Sequence, residues 1–489
     1  MKKLYILLSG LVILVTSSCI KKTSAEIKPD LPTPTVQGYL TSYTTFTHRD
    51  TLKINPTVDN ETQYVFYWTA FSSNFNVNSG VVPKGDTLSK TKDLNYVVTL
   101  NPGQYTLVFN VKNKRTAVTQ MITSKLLVST LTGNGWYLLK DDNNKTDFDF
   151  IYGTGRIDNL INFFNGKSLT GKAVKSIFCG SFKQGLKSTD LFNVLFVISD
   201  QDAAICRIDN GKIVMGFDDM FFTKPANKNP QNVFQPQADD FIHFINDGIV
   251  YSMAKGSFFS SPPVSSYKFS SVAAVGAIDI AFDENSKSVV FLDRTNYVTL
   301  ASNGAQLKNM NASLVWAGSY PGLRGAALAL FRQSGGDGLL VKMNISYGPM
   351  IGSGNLITGS NTVPQTHGLM SADVIGGNYD ADYIYYAKAN KIYMTDFASL
   401  PENLQITLPD NELVTCIQHI KYPQPIIANV PTTTNYLAVA SYNNGNYKVW
   451  LCSISSTGTI QAPAQPNFTG KGRVASINYM ENGNGNRTY

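Results

Sequence analysis

Apolar and polar positions alternate with a period of two along most of this chain, the spacing that sends side chains to opposite faces of a strand. In residues 104–111, Tyr105, Leu107, Phe109 and Val111 fall on one face, just after the turn-forming run Asn101-Pro102-Gly103. Similar strand patterns occupy 52–56, 64–68 and 94–100, and another spans 117–128 after a polar turn at 112–115. Six or seven short strands in about 90 residues, with Trp68 on an inner one, predict an immunoglobulin-like β-sandwich.

Beyond Trp136 a plan repeats rather than a sequence: apolar strand, polar tip, apolar strand. The tips are Asp141-Asp-Asn-Asn144, Asp209-Asn-Gly211, Asn246-Asp-Gly248, Asp283-Glu-Asn-Ser286, Ser334-Gly-Gly-Asp-Gly338, Ala389-Asn390 and Asn443-Asn-Gly445. Asn-Gly and Asp-Gly supply the positive φ angles of two-residue hairpin turns. One tip about every 50 residues is the period of a four-stranded propeller blade. The count gives six to eight blades, with seven preferred, and a blade boundary falls near 155–180. An open ring would leave unpaired strand edges, so the alternating stretch 472–479 is expected to complete the first blade beside the strand at 136–139. The Gly/Asn-rich end from Asn482 reads as frayed, and a short helical piece is expected near 159–164. The fold class is therefore all-β: a sandwich followed by a β-propeller of about seven blades.

The start of the chain changes the picture from a plain globular protein to an exported one. Met1-Lys2-Lys3, an apolar run from Leu4 to Val15, and the small residues Thr16-Ser17-Ser18 before Cys19 make a secretory signal. The run is too short to span a bilayer of about 30 Å as a mature helix. A signal that ends at cysteine resembles a lipobox, although Thr16 stands where leucine is usual. Cleavage before Cys19 and acylation of its thiol are expected, and two or three acyl chains hold far more firmly than one. Lys28-Pro-Asp-Leu-Pro-Thr-Pro-Thr35 then gives an extended spacer. The expected organisation is a signal peptide over 1–18, a lipidated Pro-rich tether over 19–40, the sandwich over 41–130 and the propeller over 131–489.

The 489 residues carry a formal charge of +7, which falls to +5 once Lys2 and Lys3 leave with the signal. No basic cluster accompanies it, so no nucleic-acid footprint exists. Cys179, Cys206, Cys416 and Cys452 are isolated in apolar, strand-like settings. That pattern argues against structural zinc and favours buried thiols over disulfides.

Enzyme motifs mostly fail. His48, His243, His367 and His419 lie far apart, with no H-E-x-x-H helix and no G-x-S-x-G elbow. Gly166-Lys-Ser-Leu-Thr-Gly-Lys172 imitates a phosphate loop, but Ala173 replaces the hydroxyl needed for magnesium and no parallel βα unit surrounds it. Acidic pairs at Asp147/Asp149, Asp218/Asp219, Asp239/Asp240 and Asp380/Asp382 have the residue types for a glycosidase acid and base, or for a structural calcium ion. Most also flank turns, where Asp caps backbone. Tyr383, Tyr385 and Tyr386, Phe221-Phe222 and Phe258-Phe259 are the aromatic candidates for stacking on sugars or peptide side chains.

Two segments carry a family resemblance. Phe66-Tyr67-Trp68 followed by Leu-Asn-Pro-Gly-Gln-Tyr-Thr-Leu-Val-Phe-Asn-Val over 100–111 resembles the polycystic-kidney-disease (PKD) repeat. Asp50-Thr-Leu-Lys-Ile-Asn-Pro56 and Gly133-Asn-Gly-Trp-Tyr-Leu-Leu139 resemble the PKD-like family lipoproteins of the Bacteroidetes, in which the sandwich leads into a large β domain. The resemblance implies a non-enzymatic binding lipoprotein of the outer membrane, an accessory of SusC/SusD-type uptake that takes a glycan or peptide ligand and touches the membrane through Cys19. The competing class is a propeller hydrolase or lyase using paired carboxylates. An aromatic platform without a facing acid pair favours binding, and a tight acid pair favours hydrolysis. In such lipoproteins acids just after the acylated cysteine favour display on the cell surface. Here Ile20-Lys21-Lys22 follows and the first acid is Glu26, so the periplasmic face stays open beside the preferred surface position.

Overall fold

The computed structural model describes residues 33–73, 85–153, 155–185, 188, 190–236, 241–260, 266–275, 279–294, 296–299, 302–319, 326–346, 354–409, 411–423 and 431–486. Cys19, the signal and most of the tether lie outside them, as do Asp239 and Asp240. The chain divides into two compact units, with the boundary after Ser129. No described helix is long and apolar enough to cross a membrane.

In the first unit, a five-stranded sheet runs in the order Ser42–Phe46, Thr119–Ser129, Gly103–Asn113, Tyr64–Ser72, Asp86–Ser89. Two short ladders complete it, Thr51–Ile54 with Leu94–Val97 and Val36–Gln37 with Thr57–Val58. The Val36–Gln37 strand falls inside the stretch read as tether. Leu107, Phe109 and Val111 are buried on one face of the 103–113 strand, as their spacing requires, with Tyr105 at its edge. Trp68 fills the centre, stacked on Phe109 with ring centroids 4.5 Å apart.

Among the described residues the second unit holds seven sheets, each a blade. Blade 1 joins three strands from its start, Gly135–Asp142, Lys145–Tyr152 and Gly155–Ile157, to one from the end of the chain, Arg473–Glu481. Trp136 pairs with Tyr479 and Leu139 with Ser476 in that antiparallel closure. The other blades start with Ala173–Phe182, Pro230–Phe234, Phe269–Ala274, Ala312–Ser319, Val374–Gly377 and Leu413–Tyr422, each followed outward by its sequence neighbours. These first strands and Arg473–Glu481 contact one another in order around the ring.

Burial makes the ring. Along Phe192–Ser199, Val194, Phe196 and Ile198 point into the core shared with blade 3, while Leu195 and Val197 point into the core shared with blade 1. A strand covered on both faces is apolar throughout, which is why these runs lose their alternation. Similar cores fill the other interfaces, and the one between blade 7 and blade 1 packs Ile420 and Tyr447 against Leu138 and Val474.

All seven tips named from the sequence are turns. Asn143 and Asn144, Asp247 and Gly248, and Asn444 and Gly445 take positive φ. Six tips join the second and third strands of a blade, but Asp209-Asn-Gly211 joins the third and fourth strands of blade 2. The corresponding blade 2 hairpin is Asp200-Gln201-Asp202, built without glycine on Ser199 Oγ, which accepts from the amides of Gln201 and Asp202. The hairpin at 200–202, rather than the tip at 209–211, is therefore the blade 2 counterpart of the other six tips. The helix expected near 159–164 is Leu160–Asn165. The end of the chain departs from expectation. Asn484–Gly485 folds back on Met480 and Glu481, and Asn486 is buried with its side-chain oxygen accepting from Tyr479 N at 2.6 Å. A buried amide with a backbone partner holds what composition alone marks as loose.

Candidate functional site

The acidic pairs singled out from the sequence are engaged in building the fold. Asp147 accepts from the amides of Phe148, Ile161 and Asn162 at 2.7–3.0 Å and from Ser168 Oγ at 2.6 Å, so it caps the 160–165 helix. Burial pushes its pKa up and those hydrogen bonds oppose the shift. Asp149, two residues on, meets Lys140 Nζ at 3.0 Å, Arg156 at 3.1 Å and the Tyr447 hydroxyl of blade 7 at 2.8 Å. Asp218 is exposed and pairs with Lys224. Asp380 and Asp382 turn apart, one to Lys421 of blade 7 and the other to Lys342 of blade 5. No group of three or more metal-ligating side chains forms among the described residues.

The aromatic candidates divide. Tyr385 and Tyr386 are fully buried on opposite faces of one strand, with hydroxyls donated to Gly458 O at 2.7 Å and to Glu402 at 2.9 Å. Phe221 and Phe259 are core, while Phe222 and Phe258 stand exposed beside them. Among the described residues, the four cysteines are buried and form no disulfide, and burial pushes the thiols of Cys206, Cys416 and Cys452 up to about 12.

Antiparallel succession puts the ends of the first strands and the starts of the second strands on one face of the ring. On that face, blades 5, 6 and 7 enclose a pocket of about 80 Å³, space for roughly two to three waters. Its platform is Trp316, half-buried on a bed of glycine. A Cβ on Gly318 would sit 2.4 Å from the indole, one on Gly377 3.4 Å from it, and one on Gly376 2.5 Å from Ile417 O. Glycine inside a strand marks close approach, and here it lets the indole lie against backbone.

The wall beside the platform is rigid. His419 Nδ1 accepts from Tyr379 N at 2.7 Å, so the proton sits on Nε2, which donates to Asn435 Oδ1 at 2.7 Å. Burial lowers its pKa, and the ring is neutral near pH 7. Asn378 accepts from Asp380 N and donates to Tyr385. The Trp316 indole N–H, by contrast, makes no hydrogen bond to any described residue. Such a site offers an aromatic ring and neutral polar groups, and both nitrogens of its histidine are engaged in hydrogen bonds. Sequence reading passed over Trp316, whose signal was Trp316-Ala-Gly318 and Gly376-Gly377 within strands.

A larger open groove of about 730 Å³ lies at one end of the sandwich. Its Tyr64 is buried and its Lys114 is bound to Thr62 O at 2.7 Å, while exposed Arg115 also lines it, so the groove presents a cation but no aromatic face.

Residues 29–173 match the PKD-like family, a span that includes the whole described sandwich and the three outer strands of blade 1. No curated protein matches the chain. Among solved structures, a quinonprotein alcohol dehydrogenase-like protein from Bacteroides thetaiotaomicron is 12% identical with a TM-score of 0.43, covering 92% of this chain and 99% of its own. A DUF4784 family protein from Bacteroides caccae is 9% identical, TM-score 0.26, over 91% and 98%. The Cps50 (Swd1) β-propeller domain of Myceliophteria thermophila is 10% identical, TM-score 0.35, over 65% and 98%.

Proposed function

We propose, for a chain whose residues 29–173 match the PKD-like family, a lipid-anchored, non-enzymatic binding protein of the outer membrane. Its signal is cut before Cys19, acyl chains on that cysteine hold it, and the propeller presents its pocketed face to a glycan or peptide ligand. It serves as an accessory to SusC/SusD-type uptake, displayed on the cell surface, and needs no cofactor. One observation carries the binding reading: Trp316 lies open on its glycine bed beside a neutral, hydrogen-bonded His419, while the described acid pairs are spent on lysines, arginine and helix capping.

The test uses the mature chain with Cys19→Ala, which leaves it unlipidated. Screened against immobilised glycans and peptides, it is expected to retain at least one class, and Trp316→Ala is expected to abolish that retention. Retention unchanged in Trp316→Ala would remove the site. Protease shaving of intact cells tests placement: loss of the protein is expected, and its survival would move it to the periplasmic face.

A further inference from the structure

We propose that a second subsite, selective for a neutral saccharide, is created where the last blade closes on the first; it rests on the binding reading above and names its ligand class. Trp136 of blade 1 stands at the centre, its ring 4.9 Å from Tyr479 of the same blade and 5.9 and 6.3 Å from Phe468 and Tyr436 of blade 7. All four side chains are half-buried. Trp136 and Tyr436 lie at the start of second strands and Tyr479 near the end of a first strand, so the cluster occupies the same face of the ring as the Trp316 pocket. Blade 7 connects the two: His419 and Asn435 face blade 6, and the opposed pair Ile420 and Tyr436 faces blade 1.

The polar tips distinguish this cluster from the aromatic residues inside the fold. Buried Tyr and Trp normally find a partner for O–H or N–H. Trp68 Nε1 donates to Lys92 O, Tyr137 Oη to Thr132 O, Tyr385 Oη to Gly458 O, and Tyr447 Oη to Asp149. Trp136 Nε1 and the hydroxyls of Tyr436 and Tyr479 make no hydrogen bond to a described residue and stay open to solvent. A surface of ring faces edged by free donors matches the alternating C–H faces and hydroxyl rim of a sugar ring.

Charge and backbone narrow the class. The charges at the edge do not favour an anion: Arg156 is held by Asp149, Asp158 and Thr469 O, and Glu481, which accepts from Thr433 Oγ1 at 2.8 Å, is itself negative. A uronate or an acidic peptide therefore finds no counter-charge. A peptide strand finds no free edge at Trp136 either, because that residue is paired with Ile151 on one side and Tyr479 on the other.

The chain reports on itself. Of its four tryptophans, Trp68 and Trp450 are buried at 0% and 4% exposure, so the half-buried pair is Trp136 and Trp316. The mature Cys19→Ala chain is titrated by fluorescence and calorimetry with cellohexaose, xylohexaose, maltohexaose, hexagalacturonate and a casein peptide digest. A neutral hexaose is expected to bind and shift the emission, and Trp136→Ala to weaken it about three- to tenfold, the worth of one aromatic contact. Trp136→Phe, which keeps a ring and the packing, is expected to retain part of the affinity should the alanine variant fold poorly. Full affinity in Trp136→Ala alongside loss in Trp316→Ala would overturn the second subsite and leave the binding reading standing. Binding of the peptide digest or hexagalacturonate alone would overturn the ligand class. Silence of the whole panel would contradict both.

Discussion

Trp68 in the sandwich and Trp316 in the propeller show one residue type put to opposite uses. Trp68 is wholly buried between Phe109 and Tyr39, and its N–H is spent on Lys92 O at 2.9 Å. Trp316 lies against glycine, half-buried, with its N–H unclaimed by any described residue. The first arrangement maximises area removed from water and leaves nothing to offer a ligand. The second gives up part of that burial and keeps both a stacking face and a donor. A satisfied indole marks a core, and an unsatisfied one beside a prearranged wall marks a site.

The largest expected consequence of that contrast is Trp68→Ala, which should cost the sandwich about 3–5 kcal/mol by cavity formation. Urea unfolding monitored by circular dichroism measures it, and a loss under about 1 kcal/mol would mean the indole is not the centre of that core. Asp149→Ala should come next, at about 3 kcal/mol, because it leaves Lys140 buried without its partner and strips the Tyr447 and Arg156 contacts that tie blade 7 to blade 1. An equally stable variant would show that the seam does not depend on this ion cluster.

Acid separates core from rim in another way. His243 is buried with Nδ1 on Ser252 Oγ at 2.9 Å, and burial lowers its pKa from 6.5 to about 3. The unfolded chain therefore takes up this proton first. The resulting stability is complete above pH 6.5 and drains away as pH falls toward 3. His243→Gln should flatten that part of the stability–pH curve, and an unchanged slope would assign the acid lability elsewhere. Smallest of all, Trp316→Ala and Trp136→Ala should each cost only about 1 kcal/mol, because half-buried rings surrender little area. A loss as large as that of Trp68→Ala would recast both as core and remove the contrast.

Much of the fold was legible because its signals are local. Asn443-Asn-Gly445 needs positive φ wherever it stands, and a continuous apolar run such as 192–199 reports burial on both faces. What failed to show were features made by side chains acting at a distance. The Asp200–Asp202 turn is stabilised by Ser199 Oγ rather than by glycine, so the more conspicuous Asn210-Gly211 masked it. Asn486 looked like a frayed end because its partner, Tyr479 N, lies on the closing strand. The site was less legible than the fold. Asp147 and Asp149 read as chemistry because adjacency in sequence says nothing about Ser168, Lys140 or Tyr447, which claim them. Trp316 does not stand out in the sequence because part of what surrounds it, Gly377 and His419, comes from other blades.

The central claim is that the open tryptophan face holds its ligand without altering it. The decisive measurement is a prolonged incubation of the mature Cys19→Ala chain with each bound oligosaccharide, followed by mass spectrometry of the ligand. Recovery at its original length, with binding lost in Trp316→Ala, is the predicted result. Shortened or unsaturated products that vanish with the same substitution would contradict it.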